Sequence, residues 1–284
     1  MSGAQDDVQA GIDADAARQT TFPGWHEALI EASIETLRHY EPKDVPYWGC
    51  FSGGKDSIVI KELARMAGVA VEWYYNVTTI DPPELTAFIK RQHPDVVRLK
   101  PPETFVQRVV VNGLPTRRVR WCCKEFKETQ SGKGRRIILG VRAAESPRRA
   151  ANWQTFTYHR YTKEYAVLPI LYWKDSDVWQ FIREQGMPYC KLYDEGIKRL
   201  GCVSCPMSRK ARLRDFARYP AMAKQIKAGF VAWWDQHERE SIETRMTRAF
   251  ATAEEAWQWW LSDDPMPGGD DDCQGTLEFW SNEE

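Results

Sequence analysis

The chain has 284 residues and 32.9 kDa, with 43% hydrophobic and 28% charged side chains, a composition that excludes a wholly disordered chain. The net charge of −1 conceals a pattern: residues 1–20 carry −3, residues 263–284 carry −8, and the body between them carries +10. No uncharged apolar run approaches the ~18–20 residues that a membrane span needs, and the polar, acidic start lacks the apolar core of a secretory signal. A cytoplasmic protein is expected, its seven cysteines reduced or bound to metal.

Residues 1–20 read as a disordered acidic stretch and 21–44 as an N-terminal helical segment, with the helix over 24–40 closed by Pro42 and Pro46. A short strand over 47–51 leads into Ser52-Gly53-Gly54-Lys55-Asp56-Ser57. A helix over 58–67, closed by Gly68, follows it. Further strands are expected at 69–77, 96–99, 137–141 and 167–170, and helices at 82–92, 105–111 and 176–185. This alternation predicts an α/β fold: a doubly wound, mainly parallel sheet of about five strands with helices on both faces. A helical extension over 213–262 is rich in tryptophan, and 263–284 reads as a disordered acidic tail.

The loop at 52–57 carries the chemistry. Two glycines between a strand and a helix let backbone N–H groups converge, and a helix N-terminus of that kind binds phosphate oxygens. Lys55 adds a cation, and Ser52 and Ser57 add hydroxyls. Asp56 orients the loop or helps to hold Mg²⁺. The spacing is that of neither a Walker A loop nor a dinucleotide fingerprint. Gly140 ends a strand where a nucleotide could approach the backbone. Arg142 follows at the carboxyl edge of the sheet, and Arg148 and Arg149 are weaker candidates for phosphate or acceptor contacts.

Cys122 and Cys123 are adjacent, and Cys202 and Cys205 form a Cys-x-x-Cys pair separated from them by 78 residues. Four thiolates from two segments suit an iron–sulfur cluster or zinc, with redox thiols as the third reading. Cys190 could replace one of the four. Cys50 reads as a small buried residue. Residues 108–149 carry +9, and 198–218 hold seven basic residues and one acid. Both stretches suit a nucleic-acid backbone, with Arg117, Arg118, Lys133, Arg135 and Arg136 as the contacts to test.

The 52–57 loop resembles that of the PP-loop ATP pyrophosphatases, the adenine nucleotide alpha hydrolase-like superfamily. Further segments, in order, resemble its phosphoadenosine phosphosulfate (PAPS) reductase branch. These are Thr78-Thr79-Ile80-Asp81-Pro82-Pro83-Glu84, which lacks the family's glycine, Arg120-Trp121-Cys122-Cys123-Lys124, and Gly140-Val141-Arg142 through Arg149. Pro169-Ile170, Asp177-Val178-Trp179, Tyr193-Asp194-Glu195-Gly196, Arg199 and Gly201-Cys202-Val203-Ser204-Cys205-Pro206 complete the match over about 46–212. The resemblance implies one domain over 45–212, with Lys55, Asp56 and Arg142 as catalytic residues and Ser52, Gly53, Gly54, Ser57 and Gly140 as further nucleotide contacts. Its Cys-Cys…Cys-x-x-Cys pattern is similar to that of the adenylylsulfate reductases and implies a [4Fe–4S] cluster on Cys122, Cys123, Cys202 and Cys205.

The implied activity cleaves ATP, with Mg²⁺, to AMP and pyrophosphate. It would adenylate an acceptor for sulfur transfer, as in DNA phosphorothioation or tRNA thiolation. The implied partners are DNA or tRNA and a sulfur donor such as a cysteine desulfurase, in an oligomer if one forms. The alternatives are a sulfonucleotide reductase and a non-catalytic nucleotide-binding subunit of a modification or defence complex. Such reductases resemble this chain less in the loop, which they carry in altered form. They also use a C-terminal cysteine motif that Cys273 lacks.

Overall fold

A computed structural model describes residues 24–128, 131–132, 134–160, 162–208, 211–262 and 264–267. The acidic stretch at 1–20, Lys133, Cys273 and all of the 263–284 tail except 264–267 lie outside them. In chain order the elements are α1 (Trp25–His39), β1 (Tyr47–Cys50), α2 (Lys55–Ala67), β2 (Val71–Asn76), α3 (Pro83–Gln92), β3 (Val97–Leu99) and α4 (Phe105–Asn112). A helical turn Trp121–Cys123 runs on into a π-helical turn Lys124–Glu128. Then come β4 (Ile137–Ile138), α5 (Pro147–Asn152), β5 (Phe156–His159), β6 (Glu164–Val167), α6 (Asp175–Glu184), α7 (Ala211–Arg218), α8 (Pro220–Arg239), α9 (Arg245–Ala249) and α10 (Ala253–Leu261).

The chain divides into two compact units. The first comprises 1–77, 83–100 and 127–201. It holds a six-stranded sheet in the order β3-β2-β1-β4-β6-β5, parallel except for the edge strand β5, which runs antiparallel to β6. The strand order reverses direction between β1 and β4, the switch point at which open α/β sheets bind ligands. The central strands are buried apolar runs, as a sheet covered on both faces requires. Helices α1, α2, α3 and α6 supply Leu29, Leu37, Ile58, Leu63, Ile89 and Phe181 to the main core.

The second unit comprises 78–82, 101–126 and 202–284. Its core is aromatic: Phe105, Phe126, Phe216, Phe230, Trp233, Trp234, Trp257 and Trp260 pack with Ile80, Val109 and Val203. Helix α4 starts on a capping box at Thr104, whose hydroxyl accepts the Gln107 N–H. Trp260 Nε1 donates to the Pro115 carbonyl at 2.7 Å, so even its polar end is satisfied. The late tryptophans are therefore packing residues.

Several elements differ from the expectation, and the strand expected at 137–141 keeps only Ile137–Ile138. The strand expected at 167–170 lies at Glu164–Val167, and Leu168 to Leu171 form a turn around Pro169, closed by the Leu171 N–H on the Leu168 carbonyl. Strand β5 is an addition: four residues of mixed polarity give no clear alternation, yet they pair with β6 along their whole length.

Candidate active site

Helix α2 begins at Lys55, three residues before the expected start at 58, which brings Lys55, Asp56 and Ser57 into its first turn. Gly53 sits at φ +71°, in the left-handed region, and a Cβ there would lie 2.7 Å from the side chains of Leu85 and Ile89. Only glycine fits both demands. Ser57 Oγ donates to the Gly54 carbonyl at 2.8 Å and Ser52 Oγ lies 3.3 Å from Ser57 Oγ, which ties the two ends of the loop together. The Lys55 N–H donates to the Tyr193 hydroxyl at 2.9 Å. The amides of Asp56 and Ser57 have no acceptor within the helix, as at any helix N-terminus.

Two cations and two carboxylates meet beside the loop, delivered from the carboxyl ends of the adjacent strands β1, β4 and β6. Lys55 and Arg142 are buried, with side chains only 6% and 5% exposed. Lys55 Nζ lies 3.0 Å from Asp175 Oδ1 and 3.5 Å from Asp56 Oδ2. Arg142 Nε donates to Asp56 Oδ1 at 2.6 Å, and its Nη2 donates to Asp175 Oδ1 at 2.9 Å. One Asp175 oxygen thus serves both cations. Partial burial pushes the Asp175 carboxyl up, but the Lys55 and Arg142 contacts outweigh it and hold its pKa below the ordinary carboxylate value. Burial of two cations is tolerated because each is paired and hydrogen-bonded.

Gly140 packs against the start of the helix. A Cβ there would lie 3.2 Å from the backbone carbon and Cβ of Asp56. What approaches its backbone is helix α2, so Gly140 seats the first turn of α2 against the end of β4. Arg149 is ion-paired with Glu145, and burial lowers its pKa with help from the nearby charges of Arg199 and Arg142. Arg148 is half-buried on the same short helix α5. Of the arginines read as nucleic-acid contacts, Arg135 bonds the Pro46 and Tyr47 carbonyls and Glu72. Arg136 bonds the Tyr40 carbonyl and lies over the Phe156 ring. Both guanidiniums hold the first unit together. Arg118 is exposed and Arg117 half-buried.

Sequence reasoning missed Asp175 and gave Tyr193 no role. Asp175 is the first residue of α6, in a Lys174-Asp175-Ser176-Asp177 start whose Asp177 caps the helix by accepting the Lys174 N–H. An acid one residue past a cap after a strand was the available signal. Tyr193 is held edge-on by Trp179 and Tyr189, with ring centroids at 5.0 and 6.4 Å.

The cysteines belong to the second unit. Cys122 and Cys123 lie in the helical turn after Arg120, and Cys202 and Cys205 flank a turn in which Ser204 has φ +59°. The Val203 N–H donates to the Ile80 carbonyl at 2.8 Å and the Ser204 N–H to Asp215 Oδ2 at 3.0 Å, which anchors that turn. The Cys122 thiol is pushed far up, first by its hydrogen bond with Cys123, then by burial, then by the charges of Cys123, Cys202 and Cys205. The other three thiols thus lie close enough to Cys122 to act on it.

Beside them in the chain the buried polar atoms Arg120 Nε, Trp121 Nε1 and Ser204 Oγ lack hydrogen-bond partners. Among the described residues, however, no group of three or more His, Cys, Asp and Glu side chains is arranged to hold a metal ion. Cys190 is 1% exposed in the core of the first unit, and Cys50 is half-buried, its thiol pushed up to about 12 by burial. Neither joins the four.

Residues 46–208 match the family model for the phosphoadenosine phosphosulfate reductase domain. An uncharacterised protein of Methanocaldococcus jannaschii is 31% identical over 252 residues, 82% of this chain and 57% of that protein. The chain spans about half the length of the first curated relatives it matches. An adenosine 5'-phosphosulfate reductase of Staphylococcus epidermidis is 37% identical over 68 residues, 24% of this chain and 28% of that one. Among solved structures, the PAPS reductase of Candida auris aligns with a TM-score of 0.47 and 14% identity, covering 64% of this chain and 96% of that one. No helix among the described residues is long and apolar enough to cross a membrane.

Proposed function

Because the chain belongs to the phosphoadenosine phosphosulfate reductase domain family, we propose that it is an ATP pyrophosphatase that adenylates an acceptor for sulfur transfer. The observation that carries this reading is the convergence of Lys55 and Arg142, both buried, on the N-terminal turn of α2. Bound pyrophosphate needs several donors in a water-poor site, and this corner supplies them: the loop amides, two cations and the Ser52 and Ser57 hydroxyls. An oxygen of the acceptor attacks the α-phosphorus, the α–β phosphoanhydride bond breaks, and pyrophosphate leaves with the bond's electron pair. Lys55 and Arg142 then neutralise the charge that grows on the leaving group. As phosphate oxygens take over these cations, Asp56 and Asp175 release them. Both carboxylates offer the oxygen ligands that Mg²⁺ prefers.

The four cysteines of the second unit would hold a [4Fe–4S] cluster. Their shared neighbourhood and the unpartnered buried polar atoms around them fit a thiolate-bound group, although the side chains as placed form no single-ion cage. When bound, such a cluster supplies redox or electrostatic chemistry to the sulfur step. The acceptor would be DNA or tRNA, with a sulfur donor such as a cysteine desulfurase. Arg117 and Arg118, rather than the internally bonded Arg135 and Arg136, are the arginines to test for that contact.

The test is pyrophosphate release from Mg·ATP by the full chain and by the Lys55→Ala variant. Loss of one preorganised cation lowers the rate by roughly 10²–10³-fold. A second reading, reduction of a sulfonucleotide to sulfite, is favoured by the cysteine pattern and by the adenosine 5'-phosphosulfate reductase relative. Tight binding of PAPS or adenylylsulfate without any binding of ATP would select it and reject the first.

A further inference from the structure

The Tyr193 hydroxyl sits at the mouth of the loop with half of its hydrogen-bonding capacity in use. It accepts the Lys55 N–H at 2.9 Å, and among the described residues its own proton has no acceptor. The nearest position to a Cβ added at Gly54 would be this same oxygen, together with Ser52 Oγ, each at 3.4 Å. Tyr193 is thus packed over the loop backbone and close to the Lys55, Asp56 and Asp175 group.

Three further features fix it there. Trp179 meets its ring edge-on at 5.0 Å, Tyr189 meets it at 6.4 Å, and the short helical turn Lys191–Tyr193 contacts α3, which also walls Gly53. A phenol held so rigidly loses little entropy when it binds a ligand. A hydroxyl that already accepts from one amide is also polarised toward donating its own proton.

We propose that Tyr193 is a phosphate-binding residue of this loop: its O–H donates to the same pyrophosphate oxygens that the α2 amides and Lys55 engage. The inference rests on the pyrophosphatase reading above. It adds a neutral donor to a site otherwise built of charges, and such a donor selects for a phosphate oxygen at a defined point without adding to the charge balance. Burial raises the phenol well above its ordinary pKa, so it remains a donor at every pH at which the protein is used. The nearby Asp56 and Asp175 charges act in the same direction.

The test compares two ligands on full-length protein. Isothermal titration of inorganic pyrophosphate with Mg²⁺, and separately of AMP, is run on wild type and Tyr193→Phe. The phenyl ring retains the contacts with Trp179 and Tyr189, so the variant should keep its midpoint of thermal unfolding. Loss of one hydrogen bond to a charged ligand weakens pyrophosphate binding by about tenfold or more, while AMP affinity moves less than twofold. Equal weakening of both ligands would make Tyr193 a structural prop and overturn the proposal, as would unchanged binding of both. Should Tyr193→Phe unfold, the Tyr193 hydroxyl proton of wild type decides: it moves strongly downfield on addition of pyrophosphate but not of AMP if it donates to the ligand, and stays fixed if it does not. Wild type that binds neither pyrophosphate nor ATP would overturn the pyrophosphatase reading itself, a result separable from loss in the variant alone.

Discussion

The two candidate sites, one in each unit, handle buried polarity in opposite ways. Beside the loop of the first, every buried charge has a partner: Lys55 and Arg142 share Asp56 and Asp175 in a four-membered network. Around the cysteines of the second, Trp121 Nε1 and Ser204 Oγ are buried with no partner, near a Cys122 thiol that its neighbours push up. Unsatisfied buried polar atoms are rare in native proteins and each costs ~1–3 kcal/mol. A network that closes on itself is set for exchange, because an incoming anion must displace an internal one. A set of unspent donors next to four thiols is set for addition, because an incoming group relieves costs that already exist.

The largest effect that can break this contrast lies in the second unit. Under the proposed reading, anaerobically prepared protein carries about four iron atoms per chain, and Cys122→Ser reduces that to near zero, with parallel loss at 123, 202 and 205. Cys190→Ser, whose thiol is in the other core, leaves iron unchanged. Stoichiometric zinc with no iron would remove the cluster.

A smaller effect tests closure in the first unit. Asp56→Ala leaves the Arg142 guanidinium with a single anionic partner. Breaking a fully buried pair costs about 3–5 kcal/mol, and because Asp56 is partly exposed the expected loss in urea unfolding is about 2–3 kcal/mol. A loss under 0.5 kcal/mol would mean that Asp175 alone balances both cations.

The smallest effect sharpens the electrostatics of the same unit. Burial, with the Lys61 ammonium adding to it, holds His93 at about 4, and its ring packs against Phe51 and Phe88. The unfolded chain, near 6.5, then binds the extra proton between these values, so stability falls as pH drops from about 6.5 to 4 and is steady above that window. The contribution is on the order of 2 kcal/mol, because the ring is only half-buried. His93→Phe should flatten that limb of the stability curve. An unchanged slope would place the titration elsewhere.

Much of this was legible in the chain itself. The β1–loop–α2 unit showed because two glycines punctuate a short apolar run and a helical period. The four cysteines showed because their spacing is unusual. Three things did not show. The β5–β6 hairpin is four residues a side and interleaves Tyr, His, Thr and Glu, so period alone is silent, while the run at 167–170 reads as a strand although Pro169 turns it. Arg135 and Arg136 look like surface charge in a basic, glycine-containing stretch. Long arginine stems let their heads fold back onto carbonyls at 40, 46 and 47, a long-range outcome that no local pattern encodes. Asp175 is one acid among neighbours until the sheet brings three strand ends together.

The second unit is drawn from three separate stretches of chain, 78–82, 101–126 and 202 onward. This has a consequence for how the protein is made. During synthesis Cys122 and Cys123 emerge with 78 residues still to come before Cys202, an interval of roughly 4–16 s at ordinary elongation rates. Helices α8 and α10, which bury their neighbourhood, follow later still. Over that time two adjacent thiols stand on a partial chain, before the later aromatic residues of the core that Cys122 packs against have been made. Slow or oxidising expression should therefore damage this protein at one identifiable place, and the yield of intact thiols should depend on how fast the ribosome passes Cys202 and the helices that follow it.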